Sequence, residues 1–232
     1  MKTAFFHRLV LGLVAGLWLA TGAQALSLAD ISGQDASTGL KEALTQGAGK
    51  AVALLGRNDG FLGNPKVKIP LPDSLQQAEK LMRSFGMGKQ ADELVTAMNR
   101  AAEAAVPEAK ALLVNAVKQM SVEDAKGILS GGDDAATQYF RGKTAAPLGE
   151  KFIPIVRKAI GKVKLAETYE KFAKKGAKFG LVKEEDTRLD SYVTQKALDG
   201  LYLMIAEEER AIRANPVDAA GKLAKKVFGA LK

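Results

Sequence analysis

"GGDDAATQYFRGKT", residues Gly131 to Thr144, is the stretch on which the fold reading turns. Two glycines meet two aspartates, and Tyr139, Phe140 and Arg141 then follow in a row. Each oddity has a local structural cause. Gly131 and Gly132 supply the left-handed or extended backbone that ends a helix. Asp133 or Asp134 then caps the next helix, where negative charge meets the positive end of the helix dipole. Tyr139 and Phe140 point in different directions around that helix, so at least one belongs to the core. Arg141 is either a partly buried pairing cation or a solvated one. Read as a junction, the stretch makes the chain a succession of helices. A second reading, in which the same corner holds a ligand, stays open beside it.

Helical spacing continues on both sides. Upstream, Leu40, Ala43, Leu44, Ala48, Ala51, Val52 and Leu55 recur on one face, behind Ser37 and Thr38 as candidate caps. "GRNDGFLGNPKVKIPLP" (Gly56 to Pro72) interrupts the pattern with Gly, Asn and Pro, and its "KVKI" is a short extended piece. Ser74 is placed to cap a helix carrying Leu75, Ala78, Leu81, Met82 and Phe85 on one face, stopped by Gly86 and Gly88. "KQADELVTAMNRAAEAAV" is the next helix, and Pro107 suits the first position of another. Ser121 with Asp124 has the spacing of a capping box.

Downstream, "PLGEKFIPIVRKAI" is a helix that Pro154 should kink. "LAETYEKFAKKGAKF" is amphipathic and basic. "DSYVTQKALDGLYLMIAEEERAIRANP" is the longest helix, capped by Asp190 and ended at Asn215-Pro216, and a last helix lies within "PVDAAGKLAKKVFGAL". The expectation is an all-α domain, a single bundle of about eight to ten helices, with one long irregular loop near residues 56–72. A subdomain division is allowed near residue 145.

The N-terminus reads as a targeting segment. Lys2 and Arg8 precede an apolar run from Leu9 to Ala20, and Ala23-Gln24-Ala25 offers the small-x-small pattern of signal peptidase. Cleavage after Ala25 predicts a mature domain of residues 26–232, exported to the periplasm of a Gram-negative bacterium. No later apolar run is long enough for a transmembrane span. His7 and Trp18 are the only His and Trp, and the chain has no Cys. The mature chain would therefore lack all three. That excludes Ser-His-Asp and Cys-His nucleophile systems, zinc held by Cys or His, thiolate clusters and His-ligated haem. Catalysis would have to rest on Asp, Glu, Lys, Arg, Tyr or Ser, or on a carboxylate-held hard cation. No EF-hand loop, phosphate-binding GxxxxGK[ST] or strand-linked GxGxxG is present. No cofactor and no metal are expected.

Charge is concentrated. Residues 141–180 hold 11 Lys and Arg against 3 acids, a net of +8 that equals the formal net charge of the whole chain. A solvated face is the commoner meaning of such a run, and a site for an anionic partner the sharper one. The candidates on that surface are Lys162, Lys164, Lys171, Lys174, Lys175 and Lys178. Lys164, Lys171, Lys175 and Lys178 share a broad helix face by spacing. For an exported protein the fitting partners are anionic lipid, lipopolysaccharide or an acidic envelope protein, and nucleic acid is not expected.

The segments "IPLPDSLQQAEKLMRSFGMG", "MSVEDAKGILSGGDDAATQYFR" and "YVTQKALDGLYLMIAEEERAIRANP", with the terminal "KKVFG", occur in this order. In these the chain resembles a secreted bacterial family known as a domain of unknown function, number 4197. The resemblance implies an exported, mostly helical single domain and carries no activity and no catalytic residue. Three readings of function follow. One is a binding or interaction protein with a ligand near Asn99, Arg100, Glu103, Tyr139 and Arg141. Another is a carboxylate-based hydrolase, with Glu103, Asp124, Asp133 and Asp134 as its acids. The third is a structural partner in an envelope assembly. Asn99 and Glu103 lie four apart and share a helix face, within reach of a mutual hydrogen bond.

Overall fold

The computed structural model of the protein describes residues 32–86, 88–178, 187–215 and 221–230. Among them the regular structure is helical: α1 (Gly33–Leu55), α2 (Asp73–Ser84), α3 (Gly88–Ala105), α4 (Ala109–Gln119), α5 (Val122–Ser130), α6 (Ala135–Ile160), α7 (Lys164–Ala177), α8 (Leu189–Ala214) and α9 (Lys222–Gly229). A 3-10 turn, Val106–Glu108, joins α3 to α4 and carries Pro107, whose missing N–H costs nothing at a helix start. The all-α expectation holds. No described helix is long and apolar enough to cross a membrane.

One apolar core runs through these elements. α6 packs most extensively on α8 and α3, and α1 on α9 and α8. Phe140, Leu148, Phe152 and Val156 of α6 recur at helical spacing and are fully buried, as are Val193, Ala197 and Leu201 of α8. Burying each large side chain of this kind contributes about 1.5–3 kcal/mol. Small residues set the helix separations. A Cβ at Gly39 of α1 would lie 2.7 Å from the Leu223 carbonyl, so only glycine admits α9 this close.

Several helix limits differ from the sequence reading. α1 starts at Gly33, and its cap is Ser32, whose Oγ accepts from the Asp35 N–H at 3.0 Å. Ser37 and Thr38 are inside the helix, where the Thr38 hydroxyl donates back to the Gln34 carbonyl. Ser74 likewise follows the first residue of α2. Leu75 is buried as expected, but Phe85 falls beyond the helix end and is 76% exposed. The side chains of Ala78, Leu81 and Met82 are outside the described residues. The Ser121–Asp124 capping box is present in full.

α6 is one helix of 26 residues that passes through Pro147 and Pro154, and position 145 lies inside it. Each proline deprives the carbonyl four residues earlier of its partner. Those carbonyls belong to Lys143 and Glu150, both exposed, so water can take the place of the missing N–H. The buried residues on the other face hold the helix together across both prolines.

The start of α6 answers the opening stretch. Gly131 is extended (φ −83°, ψ 179°) and ends α5. Asp134 occupies the cap position, yet its side chain makes no capping bond and instead accepts from the Gln138 amide. The cap comes from α8. The Glu209 carboxylate accepts from the Ala136 N–H at 3.0 Å and from the Thr137 N–H at 2.9 Å. It also accepts from the Thr137 hydroxyl at 2.8 Å. Its side chain is 3% exposed, and Arg213 donates to it at 2.9 Å. Neither aspartate is the cap, because a buried anion from another helix reaches the orphan N–H groups first. Glu209→Ala should therefore cost about 3–5 kcal/mol in denaturant unfolding, since it leaves the Arg213 charge without its counter-ion and two amides without a partner. Asp134→Ala should cost less than about 0.5 kcal/mol. The reverse order of effects would contradict the cap from α8.

Candidate functional site

The residues expected to form one ligand site fall into two separate arrangements, and a third polar cluster centres on Asp190. The first concerns the loop of residues 56–72. "KVKIPL" alternates: Val67, Ile69 and Leu71 are buried, while Lys66, Lys68 and Pro70 are exposed. The alternation does not make an extended strand: residues 65–67 form a turn whose Val67 and Lys68 N–H groups donate to the Asn64 carbonyl, and no strand is present among the described residues. Past the turn, side chains supply the backbone partners. Asn99 of α3 accepts from the Ile69 N–H at 2.8 Å and donates to the Ile69 carbonyl at 2.9 Å. Its amide also donates to the Val95 carbonyl at 2.8 Å. The Tyr192 hydroxyl donates to the Pro70 carbonyl, and the Gln76 amide to that of Leu71.

One helical turn along α3, buried Glu103 holds the other end of the loop. Its Oε1 accepts from the Phe61 and Leu62 N–H groups, each at 3.0 Å, and its Oε2 from Arg100 at 2.6 Å. Arg100 also donates to Asp59 at 2.7 Å, which pins a residue in the left-handed region (φ 62°). Asn99 and Glu103 therefore each bond the loop and not each other. The spacing that suggested a mutual bond serves to grip one segment at two points.

The second arrangement is α6 against its neighbours. The Tyr139 hydroxyl donates to the Ala116 carbonyl of α4 at 2.9 Å. Burial, followed by the nearby charge of Asp124, raises its pKa. Arg141 donates to Asp199 of α8 at 3.3 Å and lies 4.6 Å from the Tyr202 ring centre. Tyr202 and Thr144 share a buried hydroxyl bond of 2.9 Å. Asn99, Arg100 and Glu103 thus hold the loop, whereas Tyr139 and Arg141 hold α6 to α4 and α8. None of the five lines the cavity beside residues 66–70 or the one beside α1.

The third is Asp190, expected as the cap of α8. The helix begins one residue earlier at Leu189, and Asp190 is a buried ion-pair acceptor. Arg157 of α6 donates to it at 2.8 Å, Arg188 at 2.9 Å and the Ser191 N–H at 2.8 Å. Burial alone would raise its pKa, but the two arginines outweigh burial and hold the carboxyl at about 2.

The expected anionic-surface residues are only partly described. Lys162, Lys164 and Lys178 are exposed, and Lys171, Lys174 and Lys175 lie on α7 with side chains outside the described residues. Among the acids weighed for hydrolysis, Asp124 accepts from the Ser121 N–H within its capping box, and its pKa is lowered chiefly by that bond. No group of three or more acids among the described residues is placed to hold a metal ion. Sequence reading missed Glu209 and the role of Asp190. The signal available for Glu209 was Arg213 four residues on, a spacing that pairs them on one helix face.

These features define an all-helical protein in which buried carboxylates, each held by an arginine and by backbone N–H groups, fix the loops and helix ends. The chain belongs to the family DUF4197, described as a protein of unknown function, whose model matches residues 30–229. No curated protein and no solved structure matches it.

Two outcomes follow for the site. Asn99→Ala leaves the N–H and carbonyl of buried Ile69 unpaired. It should lower stability by about 1–3 kcal/mol and speed hydrogen exchange at the Ile69 amide above all others in the loop. An unchanged Ile69 amide would contradict the clamp. For Asp190, the folded carboxyl (about 2) lies below its ordinary 3.8. Its contribution is complete above about pH 4 and is lost as pH falls toward 2. Asp190→Asn should remove that part of the acid dependence of the melting temperature. Parallel acid profiles for the two proteins would contradict it.

Proposed function

We propose that this is an exported periplasmic protein that associates with an anionic lipid surface through the lysines of α6 and α7. The observation that carries the reading is a division of labour within residues 141–180. Arg141 and Arg157 are engaged in ion pairs with Asp199 and Asp190. Lys151, Lys158, Lys162 and Lys164 are exposed, and no carboxylate among the described residues pairs with them. Lys151 and Lys158 are seven apart on α6, two helical turns along one face, and Lys162 follows in the next turn.

Stability alone does not account for the arrangement. Lys164 is the first residue of α7, where a cation meets the positive end of the helix dipole. Such a placement is unfavourable for the helix and favourable for an anion in front of it. Export rests on the sequence pattern of residues 1–25, and the family match begins after that segment, at residue 30. Phosphate-bearing lipid is the anion such a protein meets at the membrane face.

Co-sedimentation with vesicles tests the proposal. Each lysine near an anionic bilayer contributes about 1 kcal/mol. The triple variant Lys151→Glu, Lys158→Glu, Lys162→Glu should therefore weaken attachment at least about 100-fold. Wild-type binding to phosphatidylglycerol vesicles should fall steeply between low and physiological salt, because screening shortens the reach of the charges to about 8 Å. Equal binding to neutral vesicles, or a triple variant that binds like wild type, would overturn the proposal. Binding to lipopolysaccharide alone would move the lipid partner to the outer membrane.

A further inference from the structure

A cavity of about 230 Å³ opens between the loop segment 66–70 and α8. Its apolar part comes from Ile69, Pro70 and Leu203, and its cations are Lys66, Lys68 and Lys196. The alternation of "KVKIPL" creates it. Val67, Ile69 and Leu71 turn into the core, which leaves Lys66, Lys68 and Pro70 along the outer edge. Gly200 of α8 makes the floor. A Cβ there would lie 2.8 Å from the Phe61 ring, so any other residue would push the loop and the helix apart.

The charges around this groove do not cancel. Lys66 is held by Glu207 at 2.8 Å, which fixes one wall. Asp199, the acid in the lining, already accepts from Arg141 at 3.3 Å and from Gln195 at 3.1 Å. Lys68 and Lys196 have no carboxylate partner among the described residues, and Lys196 rests 5.7 Å from the Tyr192 ring centre. Asp92, whose charge is felt by Lys68, is itself bonded to Arg83. Two ammonium groups with no carboxylate partner among the described residues therefore flank a short apolar trough.

Peptide addition along this segment does not fit. The N–H groups of Lys66, Val67 and Lys68 donate to Asn64, that of Ile69 donates to Asn99, and Pro70 has none. No row of free donors remains for an added strand. Recognition must come from the lysine side chains and the apolar floor. At about 30 Å³ for each water-sized group, the cavity admits on the order of eight non-hydrogen atoms.

We propose that this groove binds a short amphipathic anion, a carboxylate or phosphate monoester on a chain of about five or six carbons, with the anionic group between Lys68 and Lys196. The alkyl chain lies on Pro70 and Leu203. The test is an NMR titration of amide signals with three probes: hexanoate, hexyl phosphate and hexylammonium. Hexanoate or hexyl phosphate should shift the Lys68, Gly200 and Leu203 amides saturably, with a Kd on the order of 1 mM or tighter. The stronger of the two identifies the head group. Hexylammonium should leave those amides in place. Lys68→Glu with Lys196→Glu, both at exposed positions, should weaken anion binding at least tenfold while the spectrum stays that of the folded protein. Should that double variant fail to fold, Lys68→Ala with Lys196→Ala takes its place. Equal shifts with hexylammonium, no saturation with either anion, or a folded variant that binds like wild type would overturn the assignment.

Discussion

The Glu209 carboxylate is the constraint on which the rest of the structure depends. It closes the N-terminus of α6 from α8 and is held in turn by Arg213, whose guanidinium also donates to the Ile128 carbonyl near the end of α5. One buried anion therefore ties three helix segments at a single point. α6 and α8 form the largest packing contact of the fold, and α3 and α1 pack against them. A shift of Glu209 would leave an uncompensated charge and two orphan amides in the core. That penalty fixes the register of α6 on α8.

The same device recurs twice. Glu103 joins Arg100 to the Phe61 and Leu62 amides, and Asp190 joins Arg157 and Arg188 to the Ser191 amide. Each pairs a buried acid with arginine, whose planar fork suits a carboxylate and whose charge persists on burial. The acids and arginines of these three sites serve the interior, while Lys68, Lys158 and Lys196 at the surface have no carboxylate partner among the described residues. Both proposals of anion association, at the basic face and in the groove beside residues 66–70, grow out of that division.

The sequence was most legible where the determinants are local. The Ser121–Asp124 box, the stop at Gly131 and the burial of at least one of Tyr139 and Phe140 follow from short-range spacing, and all three stand, with Phe140 the buried one. It was least legible where a partner comes from far along the chain. Asp133 and Asp134 have the chemistry of a cap, but Glu209 outcompetes them across more than 70 residues. "KVKI" carries the alternation of a strand, yet it begins in a turn closed on Asn64, and Asn99 of a distant helix takes the Ile69 N–H and carbonyl. Lys68 and Lys196 come from a loop and a distant helix, so no spacing brings them together in the sequence. The start expected near Pro147 lies inside α6, because the burial that carries the helix through both prolines comes from partners far along the chain.

Native-state hydrogen exchange at the Ala136 and Thr137 amides tests the central claim most directly. First-turn amides of a helix capped by solvent exchange through local fraying. If Glu209 holds these two from the core, both should exchange only through global unfolding, with a protection that rises and falls with overall stability. Exchange at the rate of a frayed helix end would contradict the account.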